Sequence, residues 1–187
     1  MGCDIHMYVE YVLKSDVERY KKELKESKSN IRKPWVRSFG DCINPGRNYY
    51  MFGCLANGVR SDIDGALDPK GLPPEDEMGY SSISDNRIYI SEDGEGENEC
   101  TLETAQKWEK YGCKITYRDD KPIFVEHPDW HSHTWLTLNE YKKALDLYKA
   151  NSYFGSDIPI EYQAILDLMK SLKRSGAIPK LVFWFDN

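Results

Sequence analysis

Residues 3–13 have the sequence CDIHMYVEYVL, in which every odd-numbered position is apolar. Strict alternation over a run of this length is typical of a half-buried β-strand, because successive side chains of a strand point to opposite faces. Asp4, His6, Tyr8 and Glu10 occupy even positions, so the same period places them together on the face directed away from the main core. The chain therefore predicts an amino-terminal strand with one buried face and one polar face.

The rest of the chain predicts helices and strands that do not alternate as βαβ units. Helices are predicted over about 16–27, 47–57, 101–111, 137–149 and 159–174, and short strands at 35–39, 87–91, 115–117, 123–126 and 181–185. The strands at 115–117 and 123–126 are predicted to form a hairpin around Asp119-Asp120. A charged β-hairpin is the alternative to the first of these helices, and residues 61–86 are predicted to form a long loop. This order predicts an α+β fold with a mostly antiparallel sheet, an N-terminal strand and about four to five helices.

Length and composition point to one globular unit. The chain has 187 residues, of which 40% are hydrophobic and 30% are charged, and we expect a single α+β domain over residues 1–187. No apolar run approaches the ~18–20 residues of a membrane span, which argues against a membrane protein. The amino terminus lacks the basic and apolar regions of a signal peptide, so the sequence predicts a cytoplasmic protein.

Charge is distributed unevenly along the chain. The formal net charge is -6, which argues against binding to duplex nucleic acid. Residues 14–37 carry nine Lys and Arg against four acids, whereas residues 75–103 carry ten acids against one arginine. A basic face could receive a small anionic ligand, and a solvated helix face beside an acidic loop is the alternative interpretation.

Five widely spaced cysteines without a CxxC pair predict reduced thiols rather than a disulfide framework or a zinc ribbon. They stand at Cys3, Cys42, Cys54, Cys100 and Cys113. Cys3 lies on the opposite face of the predicted first strand from the nearby histidine at position 6. A Cys–His nucleophile pair within that strand is therefore geometrically poor.

Histidines are concentrated at two places in the chain. His127, His131 and His133 lie within seven residues of one another, and the fourth histidine is His6. Asp4-x-His6 and His131-x-His133 each separate two side chains by two positions, which on extended backbone directs both to one side. Imidazole and carboxylate groups at this spacing suit a divalent metal and also acid–base catalysis near neutral pH. The alternatives are a solvated strand face for the first pair and a turn before a capped helix for the second; His127 is interpreted as structural.

Basic and aromatic side chains form a second candidate set. Arg47, Tyr49 and Arg60 stand close together in the sequence, and Tyr8 and Trp135 supply further rings. Arginine can grip a phosphate with two hydrogen bonds, and an aromatic ring can stack on a base. The alternative is that the tyrosine belongs to the core and that the arginines are solvated.

Several short motifs carry a resemblance to a known family. The opening MGCDIH at residues 1–6 resembles a family of uncharacterised bacteriophage and bacterial proteins that begin in this way. The likeness continues at 47–49, 52, 55–56, 59–60 and 70–73, and in the HSHTWLTL motif at 131–138. The resemblance implies a phage setting, in the host cell cytoplasm, and implies which residues form the site. It implies no reaction, and an action against host defence signalling follows only by analogy.

These observations lead to three functional hypotheses. The first is a phosphoester hydrolase acting on a small nucleotide, with His6 and His131 as base and acid and Asp4 orienting an imidazole. In a metal-dependent form, a divalent metal held by Asp4, His6, His131 and His133 would polarise the phosphate and activate a water molecule. In either form Arg47 and Arg60 would contact the anion.

The second hypothesis is a non-catalytic sponge that sequesters a nucleotide signal, in which the arginines and aromatic rings matter more than a metal. The third is an acidic protein–protein inhibitor that uses residues 75–103 to imitate nucleic acid. All three leave the oligomeric state open.

Overall fold

The computed structural model describes residues 2–26, 31–39, 41–79, 87–96, 98–110, 113–151 and 157–186. These residues contain five α-helices and eight strands, and the strands form two four-stranded sheets. In chain order the elements are β1 Asp4–Leu13, α1 Lys14–Lys25, β2 Val36–Arg37, α2 Tyr49–Leu55, a 3₁₀ helix Glu75–Glu77, β3 Arg87–Ile90, β4 Glu99–Cys100, α3 Leu102–Glu109, β5 Ile115–Arg118, β6 Lys121–Glu126, β7 Trp130–Thr137, α4 Leu138–Asn151, α5 Ile160–Arg174 and β8 Ala177–Asp186. The α+β class, the N-terminal strand and the helix number are thus confirmed. None of the helices in the described ranges is long and apolar enough to span a bilayer.

The first sheet has the order β2-β1-β8-β7, and all of its neighbours are antiparallel. Strands β1 and β8 pair along ten residues, from Asp4 opposite Asp186 to Leu13 opposite Ala177. The first and the last strands of the chain are therefore neighbours. Their pairing brings Asp186 to the start of β1, where the sequence places Asp4 and His6.

The second sheet has the order β4-β3-β6-β5 and is antiparallel except for the β3–β4 pair. Strands β5 and β6 form the predicted hairpin, and both turn residues, Asp119 and Asp120, have positive φ angles of 50° and 60°. A two-residue turn with positive φ at both positions matches the right-handed twist of the flanking strands. The predicted mostly antiparallel pairing is confirmed, and the strands divide into two sheets.

Both faces of β1 are covered. The odd positions Cys3, Ile5, Met7 and Val9 are buried in the main core, together with side chains from α2, α4 and α5. The even positions do not remain a polar open face as predicted. Tyr8 is buried, because Leu72, Met78 and the rings of Trp130, Trp135 and Trp184 pack on that face. Glu10 is buried as well, and its Oε1 accepts a hydrogen bond from the Gly79 N–H at 2.9 Å.

Two predicted element boundaries shift. The charged segment after β1 is a helix and not a hairpin, but it begins at Lys14 with Leu13 as its N-cap, two residues earlier than predicted. Helix α2 begins two residues later than predicted, because the Asn48 side chain accepts a hydrogen bond from the Met51 N–H at 3.0 Å and caps it. The helix ends predicted at residues 27 and 111 lie outside the described residues.

Candidate functional site

A histidine–aspartate pair lies where β1 and β8 meet. The His6 Nε2–H donates a hydrogen bond to Asp186 Oδ2 at 2.7 Å, and the other Asp186 oxygen accepts one from the Asp4 backbone N–H at 3.1 Å. The His6 and Asp186 side chains remain 22% and 28% exposed, so solvent and a ligand can reach them. The sequence analysis did not include Asp186 among the candidate site residues. The signal that could have found it is the antiparallel pairing of the first and last strands, which was not predicted.

Asp4 is paired with Arg47 beside this dyad. The guanidinium donates from Nε to Asp4 Oδ1 at 2.8 Å and from Nη2 to Oδ2 at 2.7 Å, which is a bidentate arrangement. The hydrogen bond from Arg47 holds the pKa of the Asp4 carboxyl below its usual range, and the carboxylate in turn raises the pKa of Arg47. Gly2 makes room for this pair, because a Cβ at that position would overlap the Arg47 guanidinium.

The other ring nitrogen of His6 faces a thiol. Cys42 Sγ lies 4.0 Å from His6 Nδ1, and the Cys42 side chain is exposed. Its position is set by backbone hydrogen bonds of the next residue: the Ile43 N–H donates to the Met7 carbonyl at 2.8 Å, and the Met7 N–H donates to the Ile43 carbonyl at 3.1 Å. The expectation that Cys3 cannot serve as a partner of His6 agrees with its full burial in the core.

Aromatic rings surround the inner side of His6. The His127 ring stacks on Trp130 with centroids 4.4 Å apart, and Trp130 stacks on Trp184 at 5.0 Å. His6 lies 5.4 Å from Trp130 and 6.2 Å from Trp184, while His133 lies 5.8 Å from Trp184. Burial lowers the pKa of His133 to about 4 and also lowers the pKa of His127. His133 is therefore a neutral packing ring at pH 7 and cannot supply a proton there.

His131 does not join His6, which corrects the predicted acid–base pair. Residues 130–137 form a strand rather than a turn, but a bulge lies between His131 and Thr134, and Ser132 has a positive φ of 52°. The bulge turns the two imidazoles to opposite faces of the sheet, because His131 stacks on Phe185 and His133 contacts the adjacent residue of β8. His131 Nδ1 instead lies 2.9 Å from the Ser132 hydroxyl.

The predicted metal ligands are consequently not convergent. Asp4, His6, His131 and His133 are divided between the two faces of the first sheet. Within the described ranges, no group of three or more His, Cys, Asp or Glu side chains is placed to hold a metal ion. The predicted metal site is therefore not formed by these four residues.

Two of the predicted ligand contacts lie next to the dyad. The Tyr49 hydroxyl accepts a hydrogen bond from the Cys3 backbone N–H at 3.3 Å. The Arg60 guanidinium lies over the Tyr49 ring at 5.5 Å and donates to the Gly2 carbonyl at 3.4 Å. Arg60 holds a positive φ of 62°, a backbone conformation that non-glycine residues seldom adopt. Both arginines therefore approach the start of β1.

The other two predicted ligand contacts lie elsewhere. Tyr8 is only 4% exposed and packs against Trp184, so it belongs to the core rather than to a ligand surface. Trp135 lies beside two lysine ammonium groups, that of Lys70 at 3.8 Å and that of Lys180 at 6.0 Å from its ring centroid. Neither ring can stack on a ligand bound at His6.

Comparisons of the chain with protein-family models, with curated proteins and with solved structures find no match. The resemblance to a phage family therefore stays a prediction.

Proposed function

We propose that the protein binds a small phosphorylated ligand of the nucleotide class at His6, Asp186, Asp4 and Arg47, and hydrolyses one of its phosphoester bonds. The observation that carries the proposal is the 2.7 Å contact between His6 Nε2 and Asp186 Oδ2 on an imidazole that is still 22% exposed. A carboxylate that accepts from one ring nitrogen fixes the tautomer and leaves the other nitrogen as a base. His6 thus replaces the predicted His6–His131 pair as the acid–base group.

Positive charge next to the dyad favours an anionic ligand. The Arg47 side chain is 54% exposed, and its bonds to Asp4 engage two of the five N–H donors that a guanidinium carries. The remaining donors suit phosphate oxygens, which arginine binds well because of its planar geometry. Arg60 approaches the same strand end through the Gly2 carbonyl and adds a second cation.

The reaction follows from the position of His6 between a carboxylate and solvent. In the forward step, His6 Nδ1 takes a proton from the attacking group and later returns a proton to the leaving oxygen. Asp186 holds the imidazole in place and stabilises the imidazolium that forms between these two transfers. Arg47 offsets the charge on the phosphate oxygens.

A sponge remains a second candidate, and a specific observation favours it. The His127 ring stacks on Trp130 beside His6 and would be the ring on which a nucleobase stacks, and base–aromatic stacking contributes about 1–3 kcal/mol per base. Such a surface can retain a nucleotide without cleaving it. The acidic-inhibitor hypothesis gains no support, since its stretch 75–103 includes residues 80–86 and 97, which lie outside the described residues.

The test is a mass-spectrometric assay with a pool of linear and cyclic nucleotides, with and without divalent metal. Purified protein is incubated with the pool and filtered, retained material is released by heat, and both fractions are identified. We expect one nucleotide to be converted catalytically into a defined product. A nucleotide that is retained and released intact would favour the sponge. No conversion and no retention would contradict both candidates.

A matched pair of variants tests the role of Arg47. Arg47→Gln removes the cation at the site, whereas Arg118→Gln removes an exposed cation from β5 in the second sheet. We expect weaker retention of the nucleotide for the first variant only. Equal losses in both variants would indicate nonspecific attraction by net charge.

A further inference from the structure

We propose that Cys42 is the nucleophile of this site and forms a covalent phosphoryl intermediate, an inference that rests on the proposed hydrolase function. Cys42 Sγ lies 4.0 Å from His6 Nδ1, and His6 Nε2 lies 2.7 Å from Asp186 Oδ2. The His6 imidazole therefore lies between the Cys42 thiol and the Asp186 carboxylate. This is the arrangement of a nucleophile, a base and a group that orients the base, and nucleophile–base distances are often long before substrate binds.

The protonation pattern of His6 agrees with this role. Because Asp186 accepts a hydrogen bond at Nε2, the neutral ring carries its proton there, and the lone pair of Nδ1 is directed towards the thiol. Nδ1 can then accept the Cys42 proton without any rearrangement of the ring. Cys42 and His6 would become a thiolate–imidazolium pair, whose positive partner lies against the Asp186 carboxylate.

Backbone hydrogen bonds hold together three segments that are distant in the sequence, and they place Cys42, His6 and Asp186 next to one another. Cys42 precedes Ile43, which exchanges two backbone hydrogen bonds with Met7 on β1. Asp186 is positioned by the β1–β8 ladder, which continues in register to the end of β8. The thiol and the carboxylate thus approach His6 from opposite edges of the same strand.

Cys42 also differs from the other thiols of the chain in its accessibility. It is the exposed cysteine, whereas Cys3, Cys54 and Cys100 are buried and Cys113 is half-buried. Burial raises the pKa of the Cys54 thiol to about 11, which keeps it protonated and unreactive at neutral pH. The exposed Cys42 sulfur also contacts an imidazole, at 4.0 Å from His6 Nδ1.

The two half-reactions balance as follows. In the first, the Cys42 thiol proton passes to His6 Nδ1, the thiolate attacks phosphorus, an S–P bond forms, and the P–O bond to the leaving alcohol breaks. The alcohol oxygen takes the proton from His6 Nδ1. In the second, a water molecule gives a proton to Nδ1 while its oxygen bonds to phosphorus, the S–P bond breaks, and the thiolate takes the proton back. One water is consumed, and no oxidant or reductant is needed.

The first experiment measures the reactivity of the thiol without any substrate. The rate at which iodoacetamide alkylates Cys42 is followed by peptide mass spectrometry from pH 5 to 9 in wild type, His6→Asn and His131→Asn. We expect His6→Asn to slow alkylation at pH 7 by at least about tenfold, because the Cys42 thiol loses the imidazole nitrogen that accepts its proton. His131→Asn is the matched control, since that ring stacks on Phe185 at the other face, and its profile should follow wild type. Identical profiles for His6→Asn and wild type would overturn the inference.

The second experiment measures turnover and the intermediate. We expect Cys42→Ala and Cys42→Ser to lose at least about 100-fold in turnover while still retaining the nucleotide. Acid quenching of wild type during turnover should show one added phosphoryl group on the peptide that contains Cys42. Full turnover by Cys42→Ala would overturn the nucleophile and leave the proposed hydrolase standing.

The two proposals fail in different ways. A wild-type protein that hydrolyses no nucleotide, but whose Cys42 alkylation depends on His6, would overturn the proposed function and support the thiol–imidazole pair. Hydrolysis that does not depend on Cys42 would support the proposed function and overturn the role of Cys42 as nucleophile.

Discussion

His133 shows how burial of one side chain couples stability to pH. Its ring packs against Trp184, and burial lowers its pKa to about 4 from the ordinary value of 6.5. Because this folded-state pKa is depressed, the unfolded chain binds a proton between pH 6.5 and 4 that the folded chain does not bind. The associated stability is therefore complete above pH 6.5 and is lost as the pH falls towards 4. The difference corresponds to about 3 kcal/mol.

We predict that His133→Phe makes the free energy of unfolding less dependent on pH. Phenylalanine keeps a ring against Trp184 but has no proton to gain, so the fall in stability between pH 7 and pH 4.5 should shrink by about 2–3 kcal/mol. Urea denaturation at both pH values measures this. An unchanged fall in the variant would show that His133 is not buried in its neutral form.

Among the individual elements, β7 has the largest effect on the site, because its bulge determines which histidine side chains lie on the same face as His6. Ser132 is left-handed at φ 52°, and the two residues after His131 face a single residue of β8. Without the bulge, alternation would direct His131 and His133 to one side, as the sequence predicts. Serine has no strong local preference for the left-handed conformation, so the sequence around Ser132 does not predict the bulge. The separation of His131 from His133 is visible only in the folded sheet.

We predict that Ser132→Val is less stable than Ser132→Gly by about 1–2 kcal/mol, because a β-branched side chain is strained at positive φ and glycine is not. Both variants lose the hydroxyl that contacts His131. Their difference in urea denaturation therefore isolates the backbone effect. Equal stabilities would contradict the left-handed conformation at this position.

A buried ion pair joins the two central strands. Glu10 and Lys180 are register partners of β1 and β8, are 0% and 4% exposed, and have their charged atoms 4.0 Å apart. Burial lowers the pKa of Lys180 to about 8, and Glu10 acts in the opposite direction. The alternation of the first strand predicts Glu10 on the face directed away from the main core. Its burial follows from the packing of distant segments, which the strand's own sequence does not encode.

We predict that Lys180→Met destabilises the protein by about 3–5 kcal/mol, because it removes the cation that lies 4.0 Å from the buried Glu10 carboxylate. The double variant Glu10→Gln with Lys180→Met should recover most of that loss. A double-mutant cycle in urea at pH 7 measures the coupling between the two side chains. Simple additivity of the two substitutions would contradict a direct interaction.

The first sheet is organised around β8, whose residues 181–185 are fully buried between the main core and the aromatic cluster on the other face of the sheet. Trp184 is 0% exposed and contacts the Tyr8, His6, Trp130 and His133 rings. This strand also delivers Asp186 to the site. Local periodicity was sufficient to predict the helices, the first strand and the β5–β6 hairpin, because those signals are encoded within a few residues. The site depends on contacts between residues far apart in sequence, which single-segment patterns do not encode.

We predict that Trp184→Ala costs about 3–5 kcal/mol of stability, as expected for truncation of a large buried aromatic side chain. Leu24→Ala is the matched control, since Leu24 on α1 is 49% exposed and should change stability little. The free energy of unfolding in urea is compared for both variants. Similar small effects would contradict the central position of β8.

The most direct test of the site compares nucleotide turnover by wild type, His6→Asn, Asp186→Asn and His131→Asn. His6 and Asp186 lie 180 residues apart in sequence and act as one unit, so we predict that each of their variants loses about 100-fold or more in turnover. His131→Asn, on the opposite face of the sheet, should remain close to wild type once folding has been verified by circular dichroism. Loss of turnover in His131→Asn with retention in Asp186→Asn, or no turnover by wild type, would contradict the His6–Asp186 site.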